Sequence, residues 1–330
     1  MNKFAISADW HFSNYSNDKK DIKGLSRKLI DLVKTIVNMC QYCLKNDIDT
    51  IIVAGDLFHN KSIVHTVALS IVSELFNEYK NIQFILIDGN HDLTGKGSEV
   101  ASALKPFTRY DNVRVISGKS EKIGNVYFVP YIQNMKENII NGNAEILISH
   151  FGLNEATLDS GISIRTDISI NDLKHRYQKV FLGHYHKPQD LITPDIAVYY
   201  AGSPIQLSWG EKNQDKRFLV YDNENIFSIP TEGYTKLIEF LITEDNKEHV
   251  LNEVQQLKEQ NVEVTLKTTD KTLHIDFDNV RIIDISEEDI TNRGLSQSMT
   301  KRDIFVKYLD IKEIENKDEY LNYILSVLET

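Results

Sequence analysis

The sequence predicts an α/β fold, a sheet covered by helices, with a smaller α+β region behind it, and three observations carry that expectation. Short β-rich runs alternate with helical stretches through residues 1–230. Several of the runs, such as Ile51-Ile52-Val53 and Ile146-Leu147-Ile148, are apolar throughout, as strands buried on both faces are. Polar clusters rich in Asp, Asn and His then follow run after run.

Taken in order, the expected strands are 4–8, 50–54, 84–87, 126–129, 146–149, 180–183, 198–201 and 218–221. Between the first two lies a stretch, 29–44, whose apolar residues recur at helical spacing and include the two cysteines, Cys40 and Cys43. With no second pair beside it, that C-x-x-C spacing reads as helix packing, and a disulfide scaffold is excluded. After Pro230 the pattern changes: strands at 237–242 and 262–267 flank a helix near 248–260, and strands at 272–277 and 280–285 follow. A polar stretch containing Gly294 reads as a linker, and two short amphipathic helices, 301–308 and 318–328, close the chain. The expected domains are 1–230, a second domain at 231–290, a linker at 291–300 and a helical segment at 301–330.

Charge separates the same regions. The chain carries a formal net charge of −11, which taken alone argues against a nucleic-acid partner, because phosphate backbones are bound by clustered Lys and Arg. Residues 231–330 hold 22 acidic and 12 basic side chains, leaving 26 and 25 for residues 1–230. The acidity therefore belongs to the C-terminal third, and two divalent ions would add four positive charges to a nearly neutral domain. No run approaches the roughly 20 apolar residues of a membrane span, and the N-terminus lacks a signal-peptide pattern, so no membrane association is expected and the expected location is the cytoplasm of a bacterial cell or phage-infected host.

Five clusters hold the chemistry: Asp9-Trp10-His11, Gly55-Asp56, Gly89-Asn90-His91-Asp92, Ser149-His150 and Gly183-His184-Tyr185-His186. Each falls just after an expected strand, and loops at the ends of parallel strands converge on one rim. Mixed imidazole and carboxylate ligands suit borderline ions such as Mn, Fe or Zn. Two such ions need a bridging carboxylate, for which Asp56, central in the series, is the natural choice; they would activate a shared water and neutralise a phosphate. His65, His175, His249 and His274 match no cluster and are expected to be ordinary histidines, with Trp10 and Phe58 as packing residues.

The clusters resemble the calcineurin-like metallophosphoesterase superfamily, whose order D-x-H, G-D, G-N-H-[DE], H, G-H-x-H the chain matches from Asp9 to His186. That resemblance implies a four-layer αββα metallophosphoesterase sandwich with a small α+β capping domain. It implies one ion on Asp9, His11, Asp56 and His186 and another on Asp56, Asn90, His150 and His184, with His91 contacting the phosphate or protonating the leaving oxygen. Two further segments, Gly55-Asp56-Leu57-Phe58-His59 and Gly202-Ser203-Pro204 through Glu211, resemble the SbcD family of repair nucleases, related to eukaryotic meiotic recombination eleven. This second resemblance implies a DNA exonuclease and endonuclease acting in repair or recombination, with Mn2+ as the favoured ion and His59 assisting DNA placement or cleavage. It also implies a homodimer, and an SbcC-like ABC-type ATPase bound through residues 301–330; the chain length suits a short, phage-like member.

Two rivals stand beside this reading. Another activity of the superfamily, a phosphatase or nucleotide phosphodiesterase, would use the same ions; phosphatases of this fold usually carry an Arg shortly after G-D, where this chain has Leu57-Phe58-His59-Asn60-Lys61. A noncatalytic DNA-end-binding scaffold would keep the metals for structure alone.

Overall fold

The computed structural model describes residues 1–95, 100–275 and 278–285, together with Val306, Leu309, Lys317, Tyr320 and Leu321. The linker expected at 291–300 lies outside the described residues, as does the segment 301–330 apart from those five positions, all of them helical.

Among the described residues the strands are β1 (Lys3–Ser7), β2 (Thr50–Ala54), β3 (Gln83–Ile87), β4 (Leu93–Thr94), β5 (Ala101–Ser102), β6 (Val113–Ile116), β7 (Glu121–Ile123), β8 (Val126–Val129), β9 (Ile146–His150), β10 (Lys179–Gly183), β11 (Gln189–Ile192), β12 (Ala197–Tyr200), β13 (Arg217–Asp222), β14 (Asn225–Pro230), β15 (Lys236–Ile242), β16 (Val262–Thr268) and β17 (Val280–Asp284). The α-helices are α1 (Arg27–Lys45), α2 (Thr66–Glu78), α3 (Met135–Asn141), α4 (Ile170–Leu173) and α5 (Lys247–Gln256). All eight strands expected in the first 230 residues are present to within a residue at each end.

Two six-stranded sheets organise the first region, in the orders β14-β13-β1-β2-β3-β6 and β11-β12-β10-β9-β8-β7. Each has a parallel centre, β1-β2-β3-β6 in one and β12-β10-β9-β8 in the other, with antiparallel strands at the margins. One face of each sheet meets the other through Phe4, Ile6, Ile52, Ile87, Phe128, Ile148 and Phe181, all buried. The outer face of the first sheet packs on α1 and α2, that of the second on α3 and α4. Strands buried on both faces explain why the central runs are apolar without alternation, and the layers are those of an αββα sandwich.

Helix α1 begins where the Ser26 hydroxyl accepts from the Leu29 amide at 3.3 Å. Its Leu29, Leu32, Ile36, Met39, Cys40 and Cys43 recur every three or four residues and are buried together. Both thiols are free, and burial pushes the Cys43 thiol up to about 12, so packing is their role.

The chain divides into two compact units, residues 1–239 with 254–264, and residues 240–253 with those from 265 onward. In the first, Arg27 forks onto Glu263 at 2.5 and 3.2 Å, and Asp31 accepts from the Thr235 amide and hydroxyl. The later strands form a three-stranded sheet, β15-β16-β17. The strand expected at 272–277 is corrected: residues 272–275 are turn and irregular backbone, because the Asp270 carboxylate caps the Thr272 amide at 2.9 Å and its hydroxyl at 2.6 Å. Helix α5 is shorter than expected, ending at Gln256. Among the described residues no helix is long and apolar enough to cross a membrane.

Candidate dinuclear metal centre

The loops after β1, β2 and β3 carry Asp9, His11, Asp56, Asn90 and His91; in the second sheet His150 ends β9, and His184 and His186 follow β10. The carboxyl ends of both parallel centres thus meet on one rim. Backbone pairing outlives the strands there, with Asp9 N to Gly55 O, His11 N to Asp56 O and Phe12 N to Leu57 O at 2.8–3.0 Å. The Asp9 carboxylate accepts from the His184 amide at 3.0 and 3.1 Å, tying the sheets together.

Four of these residues, Asp9, His11, Asp56 and His184, hold left-handed backbone angles, with φ of 54°, 51°, 55° and 94°. Such angles cost on the order of 1 kcal/mol or more per non-glycine residue and persist only where the surroundings enforce them. The motif glycines allow the approach: a Cβ on Gly55 would run into the His150 ring, and one on Gly89 into the Asp56 carboxylate. Trp10 points away into the core, its indole donating to the Ser7 hydroxyl at 2.8 Å, and Phe58 is buried, as expected of packing residues.

Every candidate ligand is brought to this rim. His11 Nε2 faces His186 Nε2 at 3.0 Å, and Asp56 Oδ2 lies 3.6 Å from His11 Nε2 and 3.3 Å from His150 Nε2. Asn90 Oδ1 sits 3.1 Å from both His150 Nε2 and His184 Nδ1. Asp9, His11 and His186 form one group close enough to share an ion, and Asp9, Asp56 and His150 another. Asp9 is common to these two groups; Asp56 also groups with His11 and His91, so it too reaches both sides of the cluster. The outer nitrogens are committed: His150 Nδ1 donates to the Ala54 carbonyl at 2.8 Å and His186 Nδ1 to Glu211 Oε1 at 3.0 Å. Each commitment leaves Nε2 facing the centre. Carboxylate, amide and imidazole lone pairs converging in this way fit borderline divalent ions.

The electrostatics follow from burial. It pushes the Asp9 carboxyl up to about 6, against the pull of His150 and His186. Burial acts in the same sense on Asp56, but His150, His11 and the His91 amide outweigh it and hold that carboxyl well below the usual range. Burial, with His150 beside it, pushes the His184 imidazole down to about 3, and burial lowers His11 also. On His150 desolvation is overcome by Asp56, which raises the ring to about 9. An anionic residue flanked by imidazoles is what a shared position needs.

His91 stands beside this group. Its amide donates to Asp56 Oδ1 at 2.8 Å, and its Nδ1 donates to the His59 carbonyl at 2.5 Å, leaving Nε2 available. The His59 ring stacks on it with centroids 6.0 Å apart, and His59 Nδ1 is buried without a hydrogen-bond partner. His65, expected to be ordinary, is structural: its Nδ1 accepts from the Asn14 amide at 3.0 Å.

Sequence reasoning assigned no role to three titratable residues that support the rim. Glu211, 1% exposed, accepts from His186 Nδ1 through one oxygen; its other oxygen accepts from Lys216 Nζ at 2.6 Å, Ser203 Oγ at 2.9 Å and the Leu207 amide at 3.2 Å. Burial raises this carboxyl, but His186 and Lys216 dominate and bring it down to about 2. Lys216, equally buried, also donates to the His186 carbonyl at 2.9 Å. Asp92 accepts from the amides of Gly89, Phe58 and Leu57 at 2.9–3.2 Å, clamping the loops after β2 and β3; burial pushes its carboxyl up to about 8. The Gly202–Glu211 motif was the available signal for Glu211; Lys216 gave none.

The family model of the calcineurin-like phosphoesterases matches residues 2–227. The SbcD subunit of nuclease SbcCD from Staphylococcus epidermidis is 27% identical over 298 residues, spanning 78% of this chain and 76% of that protein. Exonuclease subunit 1 of Enterobacteria phage T4 is 28% identical over 233 residues, 66% and 63% of the two chains. The DNA double-strand break repair protein Mre11 of Archaeoglobus fulgidus is 22% identical over 214 residues, 57% and 48%. With the family matched across more than half its length, this chain is a metallophosphoesterase and belongs to the calcineurin-like phosphoesterase family.

Proposed function

We propose that the chain is a two-metal-dependent DNA nuclease, hydrolysing phosphodiester bonds by exonuclease and endonuclease action in end processing, repair or recombination. The observation that carries the reading is the convergence of Asp9, His11, Asp56, Asn90, His150, His184 and His186 on one rim with His91 and His59 beside it. Two bound divalent ions, with Mn2+ favoured, would supply an activated water and charge neutralisation for the phosphate. Asp9, His11, Asp56 and His186 would hold one ion, and Asp56, Asn90, His150 and His184 the other.

The remaining steps belong to the chain. Asp56 stays ionised between His11 and His150, so it would hold both ions without competing for a proton. The strained loops keep the ligands from following a moving substrate. His91, its Nδ1 proton fixed on the His59 carbonyl, would present Nε2 to the phosphate or to the departing oxygen, where the doubly protonated ring would donate a hydrogen bond or a proton and return to the neutral imidazole. DNA as the substrate is supported by the relatives that are named as nucleases. One relative is named as a subunit of a nuclease, which supports a partner subunit; that the partner is an SbcC-like ABC-type ATPase bound through residues 301–330, and that the chain forms a homodimer, are parts of the proposal that rest on the family resemblance.

A phosphatase or nucleotide phosphodiesterase is the rival. It is disfavoured because the positions after Gly55-Asp56 are the buried apolar Leu57 and Phe58, which offer no cation to a phosphomonoester. The test compares Mn2+-supported hydrolysis of linear duplex DNA, bis(p-nitrophenyl) phosphate and p-nitrophenyl phosphate. The proposal requires cleavage of the DNA and the diester, loss of both in Asp56→Ala and His184→Ala, and retained ion binding with lost DNA cleavage in His91→Ala. Full nuclease activity in chelator, or hydrolysis of the monoester alone, would overturn it.

A further inference from the structure

Between Phe12 and the body of α1 the chain makes a detour that the metal chemistry does not use. Residues 14–28 carry five cations against two carboxylates, a net of +3 in a chain whose total is −11. Within them residues 19–27 form a small hairpin, pinned by the Lys20–Ser26 bridge and by Arg27 N to Lys19 O at 2.8 Å. Its tip is built, not slack. The Asp21 carboxylate accepts from the amides of Lys23 and Leu25, both at 2.8 Å; Gly24 takes the left-handed φ of 77°; and the Asn14 amide group donates to the Gly24 carbonyl at 3.1 Å. At the summit stands Ile22, with a relative exposure of 102%.

Single exposed apolar residues are common on protein surfaces and mean nothing alone. Three features set this one apart. A turn this well tied holds the side chain out of contact with the rest of the molecule. Two cations stand near it, with the Asp21 carboxylate turned inward onto the tip amides: Lys20 is held by the neutral Asn14 and Tyr15 oxygens, and exposed Lys23 pairs with no carboxylate among the described residues. The hairpin is also joined to the catalytic rim, since the Tyr15 hydroxyl donates to the His11 carbonyl at 2.7 Å and the Tyr15 ring lies 5.0 Å from that of His59. Ile22 is seven residues beyond Tyr15, at most roughly 25 Å along the chain, within the length of about seven base steps of one strand.

A branched apolar side chain between two lysines has the chemistry of a wedge that enters a base stack while cations hold the adjoining phosphates. We propose that Ile22 is such a wedge, entering the terminal base pairs of duplex DNA and separating the strand that reaches the dinuclear rim. This rests on the DNA reading above and adds to it the part of the substrate that the rim alone does not address.

The test uses the full chain with Mn2+ and three substrates: a blunt duplex, a single strand of the same sequence, and bis(p-nitrophenyl) phosphate. Ile22→Ala is expected to lower the ratio of duplex to small-diester hydrolysis by about tenfold or more, the scale of one buried apolar side chain, and to lower single-strand cleavage much less. A 2-aminopurine at the duplex terminus should brighten when the wild-type chain binds and stay dim with Ile22→Ala, while Ile22→Phe restores both signals. Lys20→Ala with Lys23→Ala should weaken duplex and single-strand binding alike and reduce the salt dependence. If Ile22→Ala keeps the duplex ratio and the fluorescence change, the wedge is wrong while the nuclease stands; the wedge is equally wrong if the substitution alters only the oligomeric state. A wild-type chain that hydrolyses the small diester and neither binds nor cleaves DNA overturns the DNA reading and the wedge with it.

Discussion

The two sides of the metal rim are supported differently. His150 and His186 each turn one ring nitrogen to the centre and anchor the other at nearly the same distance, 2.8 and 3.0 Å. The anchor of His150 is the carbonyl of Ala54, neutral and part of the ladder of β2, whereas that of His186 is the ionised Glu211, itself held by Lys216, Ser203 and the Leu207 amide. Both acceptors fix the ring and its tautomer and favour its protonated form, but the carboxylate does so with a full charge. The His150 side is therefore as rigid as the sheet, and the His186 side is tuned by side chains that substitution can reach.

The largest effect should come from Asp56, the residue proposed to be shared by both sides. Asp56→Ala is expected to reduce hydrolysis of bis(p-nitrophenyl) phosphate by on the order of 10^3-fold or more and to weaken both ions together in a calorimetric titration. Loss of only one ion would show that Asp56 belongs to one side and would break the comparison.

Glu211→Gln comes next and should act on one side alone. Ion affinity at the His186 side is expected to fall about 10- to 100-fold, with the His150 side unchanged. The metal-free chain should lose about 3 kcal/mol near pH 7, because Lys216 is left buried without its partner. The pH dependence has a definite sign. Glu211 has a folded value of about 2, below the ordinary glutamate value of 4.5, so its contribution is fully present above about pH 4.5 and is lost as pH falls towards 2. Denaturation of the metal-free chain should show wild type and Glu211→Gln separating further from pH 7 to 5, as His186, whose ring the Glu211 carboxylate raises, takes up its proton, and converging below about pH 4.5. A separation that persists undiminished as pH falls towards 2 would refute the buried pair.

The contrast also marks what the sequence makes legible. The proposed ligands are readable because Asp, Asn and His would have to stand there as themselves, each just after a run whose apolar character declares it a strand. The supports are readable only where they share that economy. Glu211 ends a motif, but nothing in its neighbours says that it faces His186, 25 positions away. Lys216 reads as a surface cation and is buried, and Ala54 contributes only its carbonyl, which any residue would supply. Among the strands, β11 and β14 lack the apolar run: Gln189-Asp190 and the exposed Asn225 and Ser228 lie at sheet margins, where one neighbour and open solvent replace burial on both faces. The turn at 272–275 has strand-like Thr and Ile but is diverted by the single side chain of Asp270.

The smallest effect separates support by charge from support by shape. Ser203 Oγ lies 2.9 Å from Glu211 Oε2 and 2.9 Å from the Ile205 carbonyl, so Ser203→Ala removes one of the donors to Glu211 and leaves Lys216 and the Leu207 amide in place. It should cost about 1 kcal/mol of stability and weaken ion binding only a few-fold, again on the His186 side alone. If the hydroxyl acts through Glu211, its effect on ion binding depends on that carboxylate. Ser203→Ala should then weaken binding in the wild-type background and add almost nothing to Glu211→Gln, a non-additivity that a double-mutant cycle measures directly. Full additivity would mean that Ser203 shapes the loop from Gly202 onward independently of Glu211, and the His186 side would then owe its support to backbone packing, as the His150 side does.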